Sequence, residues 1–291
     1  MRARAESTDT FSIRHQKFLS FLLVAFISFA TIFAQVPYAS ADVQKSDLIF
    51  GQSVEERNLS SADCPNVDAE YAYLMDSNGR VYFERNATTP TKIASITKVM
   101  TAIVALDHGD LNDQINVSKK AEKVGESEAG LKNGDSLTLE AALKALIVPS
   151  GNDAAIAIAE SIGAKMVREA QENEEPITLS SGQEATEENG EEVFVDAMNK
   201  KAEELGLKDT VFTNPHGLDS DEYSGDQHST AEDVAKIIQA AMKYESIRII
   251  ADGGDTSISV QTSAGKTKTV KLKSTDKLLS EYDPAMGLKT G

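Results

Sequence analysis

The sequence has 291 residues with 46 acidic and 29 basic side chains, which gives a formal net charge of −17 at pH 7. This excess of negative charge argues against nucleic acid as a partner, because phosphate backbones bind positively charged surfaces. The single cysteine, Cys64, excludes a disulfide within the chain. Neither a His/Cys/Asp cluster at ligand spacing nor a glycine-rich phosphate loop is found, so we predict no metal and no cofactor.

The first 41 residues have the pattern of a secretory signal peptide. Basic residues precede an apolar stretch at 18–34, and Ala39-Ser40-Ala41 forms a cleavage site of small residues. We therefore predict export, with cleavage before Asp42 and action outside the cytoplasm. An uncleaved membrane anchor is the alternative, because the apolar stretch approaches the length of a membrane span.

The remaining chain is long enough for one large core. Residues 42–66 are polar and are predicted to form a poorly ordered linker, and residues 67–291 a single domain. Within it, Asn78-Gly79 predicts a hairpin turn. An apolar helix follows at 93–106, and Gly109 is placed to end it.

The middle of the chain is predicted to be helical. Residues 138–148 form one helix, which Pro149 breaks. A second helix at 154–162 is predicted to be capped by Asp153 and closed by Gly163.

Residues 164–192 are rich in glutamate with serine and glycine between, which is typical of a solvated, mobile loop. A cation-binding or substrate-gating loop is the alternative interpretation of this acidic insert.

The last third begins with a helix at 231–243, for which Ser229 and Glu232 form a predicted capping box. Residues 256–272 alternate as strands do. Early strands, a helical middle and late strands predict a mixed α/β (α+β) fold in which one sheet is assembled from both ends of the chain.

The first chemical motif is Ser-Ile-Thr-Lys at residues 95–98, within the predicted core helix. Ser95 and Lys98 share a face of the helix at i and i+3, so an amine lies within reach of a hydroxyl. A serine becomes a useful nucleophile when an adjacent base takes its proton. Two further Ser-x-x-Lys matches, at 263–266 and 274–277, lie in a polar strand-and-turn stretch where the pair would point to opposite faces. A buried serine beside an outward-pointing lysine is the plainer interpretation.

Two more motifs follow in order. Ser-Gly-Asn at 150–152 lies in a tight loop between helices, where it presents a hydroxyl and an amide, and an ordinary turn is the alternative. Lys-Thr-Gly at 289–291 closes the chain and taken alone indicates only a strand end.

Together the motifs and their surroundings resemble the serine D-Ala-D-Ala carboxypeptidases, the low-molecular-weight penicillin-binding proteins. The more specific matches are Pro-Ser-Gly-Asn-Asp-Ala-Ala at 149–155 and Asn-Pro-His-Gly-Leu at 214–218. This resemblance implies a β-lactamase/transpeptidase-like fold: an antiparallel sheet flanked by helices, an all-helical subdomain, and the site in the cleft between.

The resemblance also implies a role for each motif residue. Ser95 would be the acylated nucleophile and Lys98 its base, while Ser150 would relay a proton to the leaving D-Ala. For substrate binding, Asn152 would hold a peptide carbonyl, and Lys289 and Thr290 would hold the terminal carboxylate. His216, beside Pro215 and Gly217, is predicted to be structural.

The implied partners are peptidoglycan stem peptides as substrates and β-lactam antibiotics as inhibitors. In the family the residue after Lys-Thr-Gly supplies the second oxyanion donor, so the expectation is a domain incomplete at its C-terminus. Membrane association through an uncleaved N-terminal segment or a missing C-terminal part is a further expectation. A β-lactamase, disfavoured by Gly151 where class A enzymes carry Asp, and a non-catalytic cell-wall-binding module are the alternative functions.

Overall fold

The computed structural model of this chain describes residues 47–60, 64–220, 223 and 225–291. The predicted signal peptide at 1–41 lies outside these residues. The described residues belong to two compact units, a small one that includes residues 54–68 and a large one formed by residues 46–53 and 69–291. In the small unit, the Cys64 thiol donates a hydrogen bond to the Ser60 carbonyl at 3.4 Å.

The first sheet of the large unit contains four antiparallel strands. They are β1 (Asp47–Ile49), β2 (Gln52–Ser53), β3 (Ala72–Met75) and β4 (Val81–Arg85), in the order β2-β1-β4-β3. The turn between β3 and β4 confirms the predicted hairpin, since Gly79 has a φ of +82° that favours glycine.

The prediction of a poorly ordered linker at 42–66 is wrong for residues 47–53, which form strands β1 and β2 and the turn between them. The Asp47 carboxylate accepts hydrogen bonds from Nε and Nη2 of Arg85 at 2.5 and 2.8 Å, and both side chains are buried. A buried charged pair requires good geometry to offset desolvation. The sequence did not show this pairing, because the two residues are 38 positions apart.

The second sheet is also antiparallel, and its strands are in the order β5-β6-β7-β8. They are β5 (Gln114–Asn116), β6 (Ser136–Thr138), β7 (Thr256–Gln261) and β8 (Thr267–Leu272). The β7–β8 hairpin confirms the predicted alternating stretch. The expectation of one sheet assembled from both chain ends is wrong for the described residues, because the early strands pair with each other and β7 pairs with β6. Strands of three residues within a helical block are too short for a readable period.

Helices make up most of the rest. They are α1 (Thr97–His108), α2 (Lys119–Lys123), α3 (Leu139–Ile147), α4 (Asn152–Glu172), α5 (Gly190–Glu204), α6 (Ala231–Ala241), α7 (Glu245–Asp252) and α8 (Leu278–Glu281). α1 is the central helix: its residues from Thr97 to Ala105 are all buried, and Gly109 follows its end as predicted. Within the described part of the chain, no helix is both long and apolar enough to cross a membrane.

The helix ends follow the sequence with three corrections, at Ser229, Gly163 and Asp153. Thr138 caps α3 with its side chain, and Pro149 follows the end of that helix as predicted. The cap of α6 is Thr230, whose hydroxyl accepts from the Asp233 N–H, and not Ser229. The Ser229 hydroxyl instead shares a hydrogen bond with that of Thr210.

Gly163 does not end a helix as predicted, since α4 continues through it to Glu172. A Cβ built on Gly163 would lie 1.8 Å from the Gly190 carbonyl oxygen at the start of α5. The glycine therefore permits a close crossing of the two helices.

The acidic insert at 164–192 is structured, so its prediction as a mobile loop is wrong. Its first residues complete α4, and a 3₁₀ turn at Glu187–Asn189 leads into α5. Four residues form a small buried cluster beside Met166 and Ile177: Val167, Leu179, Ala185 and Val193. Most of the glutamates are exposed, so the charges are solvated while the chain between them is packed.

Candidate active site

Ser95 lies in a 3₁₀ turn, Ala94–Ile96, which leads directly into α1. The helix predicted at 93–106 would have placed Ser95 in its first turn. Ala94 has a φ of +44°, a conformation rarely adopted by residues with a side chain. Strained backbone of this kind concentrates at functional sites.

Lys98 is hydrogen-bonded to Ser95 and to the loop at 214–218. Its Nζ donates hydrogen bonds to Ser95 Oγ at 2.8 Å and to the His216 carbonyl at 2.7 Å, and its side chain is fully buried. Burial and, to a smaller extent, the Lys289 ammonium lower the pKa of Lys98 to about 7, against opposing effects of Asp153 and Glu126. A substantial neutral fraction is therefore present near neutral pH, as a lysine base requires.

The Asn-Pro-His-Gly-Leu loop at 214–218 holds the His216 carbonyl, which is the second hydrogen-bond acceptor of Lys98. The Asn214 side-chain oxygen accepts from the N–H groups of His216 and Gly217 at 3.2 and 2.7 Å. The Thr101 hydroxyl donates to the Pro215 carbonyl at 2.6 Å, which binds the loop to α1. The sequence did not predict the contact between Lys98 and this loop. The acceptor is a main-chain carbonyl, which every residue type has, so no residue type indicates it. The turn-forming residues around it were the available signal.

The environment of the His216 side chain favours its neutral form. Its Nδ1 accepts from the Leu218 N–H at 3.1 Å, and its Nε2 is buried without a hydrogen-bond partner among the described residues. Burial, with the nearby Lys98, lowers the pKa of His216 to about 3. This environment agrees with the predicted structural role.

The Ser-Gly-Asn motif forms the predicted tight loop between α3 and α4. Ser150 is almost fully buried and has a φ of +64°, and its hydroxyl makes no hydrogen bond with any described residue. A Cβ on Gly151 would lie 2.7 Å from the Ala145 carbonyl oxygen, so glycine is required there.

Asn152 begins α4 and is buried. Its main-chain N–H donates to the Ser127 carbonyl at 2.7 Å, and its Nδ2 donates to the Gly125 carbonyl at 3.0 Å. Its Oδ1 is buried and without a partner in the described structure. A buried unsatisfied acceptor is costly and is often found where a ligand binds.

Asp153 does not cap α4 as predicted, because Gly151 is the residue at the cap position. Instead its carboxylate accepts from the main-chain N–H groups of Ala129, Gly130 and Leu131, each at 2.9 Å. It thereby anchors the loop in front of the motif.

Lys289 and Thr290 lie in a segment with no regular structure, and not in a strand. Lys289 Nζ donates to the Thr290 carbonyl at 2.6 Å, and the Thr290 hydroxyl shares a hydrogen bond with that of Thr275 at 2.8 Å. Burial lowers the pKa of Lys289 to about 8, with an opposing effect of Asp276. A Cβ on Gly291 would lie 3.2 Å from a side-chain carbon of Ile96, so this motif lies beside the turn that carries Ser95.

The first and third motifs are linked through Lys98, since Ser95 contacts it directly and the Lys289 ammonium acts on it electrostatically. Asp153, the residue after the second motif, also acts on Lys98 through its charge. Among the residues that the structure describes, no group of three or more His, Cys, Asp or Glu side chains is placed to hold a metal ion.

Comparison with known proteins gives one consistent family. The profile of the family described as D-alanyl-D-alanine carboxypeptidase matches residues 58–167 and 179–291. The protein DacF of Bacillus subtilis, named a D-alanyl-D-alanine carboxypeptidase, is 32% identical over 230 residues, which are 77% of this chain and 51% of DacF. DacB2 of Mycobacterium tuberculosis, which has the same name, is 31% identical over 87% of this chain and 72% of its own length.

The fold is similar to that of a solved enzyme, the DD-transpeptidase of Streptomyces K15. The two chains have 29% sequence identity and a TM-score of 0.66, over 78% of this chain and 81% of that one. The predicted β-lactamase/transpeptidase-like fold class is thereby confirmed. The chain spans about half the length of DacF.

Proposed function

Since this chain belongs to the D-alanyl-D-alanine carboxypeptidase family, we propose that it removes the terminal D-Ala from peptidoglycan stem peptides through a serine acyl-enzyme. The observation that carries the proposal is the 2.8 Å contact between Lys98 Nζ and Ser95 Oγ, with the pKa of Lys98 lowered to about 7. A nucleophile and a base at this distance are the minimum for acyl transfer.

In the proposed acylation, the neutral Lys98 amine takes the proton of the Ser95 hydroxyl. The oxygen attacks the carbonyl carbon of the penultimate D-Ala, and the Ser95 N–H is one donor to the resulting oxyanion. The proton taken by Lys98 returns through the Ser150 hydroxyl, which gives its own proton to the nitrogen of the terminal D-Ala and receives the one from Lys98. The bond from that nitrogen to the carbonyl carbon breaks, and D-Ala leaves as the free amine. Lys98, neutral again, takes a proton from water as the water oxygen attacks the ester carbonyl. The shortened peptide leaves as the acid, and the proton passes from Lys98 to the Ser95 oxygen.

Three residues are proposed to bind the substrate. The Lys289 ammonium and the Thr290 hydroxyl hold the terminal carboxylate of the substrate, and the Asn152 amide holds a peptide carbonyl. To do so, Lys289 exchanges its hydrogen bond to the neutral Thr290 carbonyl for one to a carboxylate, in which both donor and acceptor are ionised.

The proposal includes the compartment and the inhibitors. Peptidoglycan lies outside the cytoplasm, so export through the signal-like segment at 1–41 fits the substrate. β-Lactams would acylate Ser95 as the substrate does, which accounts for their expected role as inhibitors.

The test is D-Ala release from a peptide ending in D-Ala-D-Ala, measured with the protein in its native length. Ser95→Ala should abolish release, while Ser263→Ala, which removes the serine of another Ser-x-x-Lys match, should retain the parent rate. Ser263 lies in the turn between β7 and β8, far along the chain from the helical motif. Equal rates for Ser95→Ala and the parent would refute the proposal.

Transfer of the acyl group to an amine is a second candidate, because the Streptomyces K15 structure is that of a DD-transpeptidase. Adding a peptide amine to the same assay separates the two, since a transpeptidase forms the ligated product and a carboxypeptidase the free acid. Fluorescent penicillin tests the β-lactamase and the non-catalytic module: rapid turnover would indicate a β-lactamase, and the absence of labelling would indicate the module.

A further inference from the structure

The loop at 125–128 is hydrogen-bonded to the second motif and to the residue before it. Asn152 donates to the Gly125 carbonyl through Nδ2 and to the Ser127 carbonyl through its main-chain N–H, at 3.0 and 2.7 Å. The Ser127 hydroxyl donates to the Pro149 carbonyl at 2.9 Å, just before Ser150. Glu126, between the two attached carbonyls, is therefore held beside Asn152.

Glu126 carries a carboxylate on the loop that is hydrogen-bonded to Asn152. It has a φ of +58°, which a residue with a side chain rarely adopts, and its side chain is exposed. Its negative charge acts on the buried Lys98 ammonium. It makes no ion pair or hydrogen bond with any residue that the structure describes, unlike Asp153, whose oxygens accept from four N–H groups.

A second observation beside this loop points to a ligand. The Oδ1 atom of Asn152 is buried and has no partner among the described residues, and Asn152 is 1% exposed. An amide with a free acceptor and a spare N–H is suited to a peptide bond, which offers both a donor and an acceptor. Because Glu126 lies on the loop that is hydrogen-bonded to Asn152, a peptide held by that amide binds beside this loop.

We propose that Glu126 is a specificity-determining residue that favours substrates with a cationic side chain on the residue before D-Ala-D-Ala. This inference rests on the proposed function and adds the recognition of charge to it. The exposed carboxylate pairs with a protonated amine of the stem peptide, and the Lys289 ammonium attracts the carboxylate at the other end of the same substrate. The two charged ends of the substrate thus meet opposite charges of the protein.

Glu126 could instead act only through its electrostatic effect on Lys98, and this role predicts a different kinetic result. If its charge only tuned Lys98, its removal would change the turnover of every substrate alike, since Lys98 serves all of them. If it binds a cation, its removal changes the preference between a cationic and a neutral substrate. The ratio of two kcat/KM values therefore separates these roles.

The experiment compares two peptides that differ at one side chain, with lysine or norleucine before D-Ala-D-Ala. The parent should prefer the lysine peptide by about threefold to fivefold in kcat/KM at low salt, the range of an exposed ion pair. Glu126→Gln should bring the ratio to about one, and Glu126→Lys should reverse it. High salt should reduce the parent's preference, because exposed charges are screened.

Glu128→Gln is the matched control. Glu128 is also exposed, lies two residues away, and is not among the charges that act on Lys98, so its loss should keep the parent ratio. A parent ratio near one, or an unchanged ratio in Glu126→Gln, would overturn the inference while D-Ala release upholds the function. Absence of both release and penicillin labelling would overturn the proposed function itself.

Discussion

Burial gives Lys98 its chemistry at the scale of the single residue. An exposed lysine has a pKa near 10.4 and is almost entirely protonated at neutral pH. Full burial and the second ammonium of Lys289 bring the value to about 7. The motif alone thus supplies the residue types, and the surrounding core makes the amine usable as a base.

A pH profile follows from the two lysines. The proposed base acts when deprotonated, so kcat/KM should rise as pH increases through about 7. The proposed carboxylate-binding Lys289 acts when protonated, so activity should fall as pH increases through about 8. The two ammonium groups interact, so the profile reports values for the pair.

The profile should therefore be a narrow bell, measured by D-Ala release at constant ionic strength. Lys289→Arg provides the matched variant, because a guanidinium stays protonated. Its alkaline limb should disappear while the acid limb remains. A rate that falls steadily from pH 6 upward would contradict the assignment of Lys98 as the base.

Backbone strain marks the site at the residue scale but could not be predicted from the sequence. Ala94, Glu126 and Ser150 have positive φ values between 44° and 64°. Glycine usually occupies this region, and none of these residues is glycine or asparagine. The hydrogen-bonded surroundings hold them there, and those contacts come from distant parts of the chain.

The crossing of α4 and α5 shows, at the scale of elements, that the role of a glycine can depend on a distant residue. Gly163 follows an apolar helical run, which is also the position of a helix-ending glycine. The distinguishing feature is Gly190, which lies 27 residues later and contacts it. Hairpin turns and the Thr138 cap, by contrast, depend on neighbouring residues and were predictable, while strands of three residues in β5 and β6 were not.

This crossing predicts a packing defect. Gly163→Ala would place a methyl carbon 1.8 Å from the Gly190 carbonyl oxygen, which the helices can relieve only by separating. Overpacking of this kind destabilises by about 1–3 kcal/mol or more. Thermal unfolding should show a clear fall in Tm.

Gly253→Ala is the control for this prediction. Gly253 follows α7 with a φ of −71°, and a Cβ there would approach no atom closer than 3.1 Å. Its Tm should stay close to that of the parent. A Gly163→Ala variant as stable as the parent would show that the two helices do not cross closely.

At the scale of the whole molecule, the order of the motifs was more informative than any one of them. Residues 95–98, 150–152 and 289–291 lie in separate parts of the chain, and the charges of Lys289 and of Asp153, which follows the second motif, act on Lys98 in the folded protein. The two other Ser-x-x-Lys matches lie at the β7–β8 turn and after β8, where no helix aligns serine with lysine. The predicted sheet across both chain ends was wrong, whereas residues of the first and third motifs lie close together in the structure.

The central claim is that Ser95 is the acylated nucleophile and Lys98 its base, and the direct measurement is to locate the acyl group. The native-length protein would be treated with penicillin, quenched in acid and digested, and the modified peptide identified by mass spectrometry. The adduct should be found on Ser95, and Lys98→Arg should slow its formation by at least about 10²-fold, since guanidinium cannot act as a base. An adduct on Ser150, Ser263 or Ser274, or unchanged acylation of Lys98→Arg, would contradict this account.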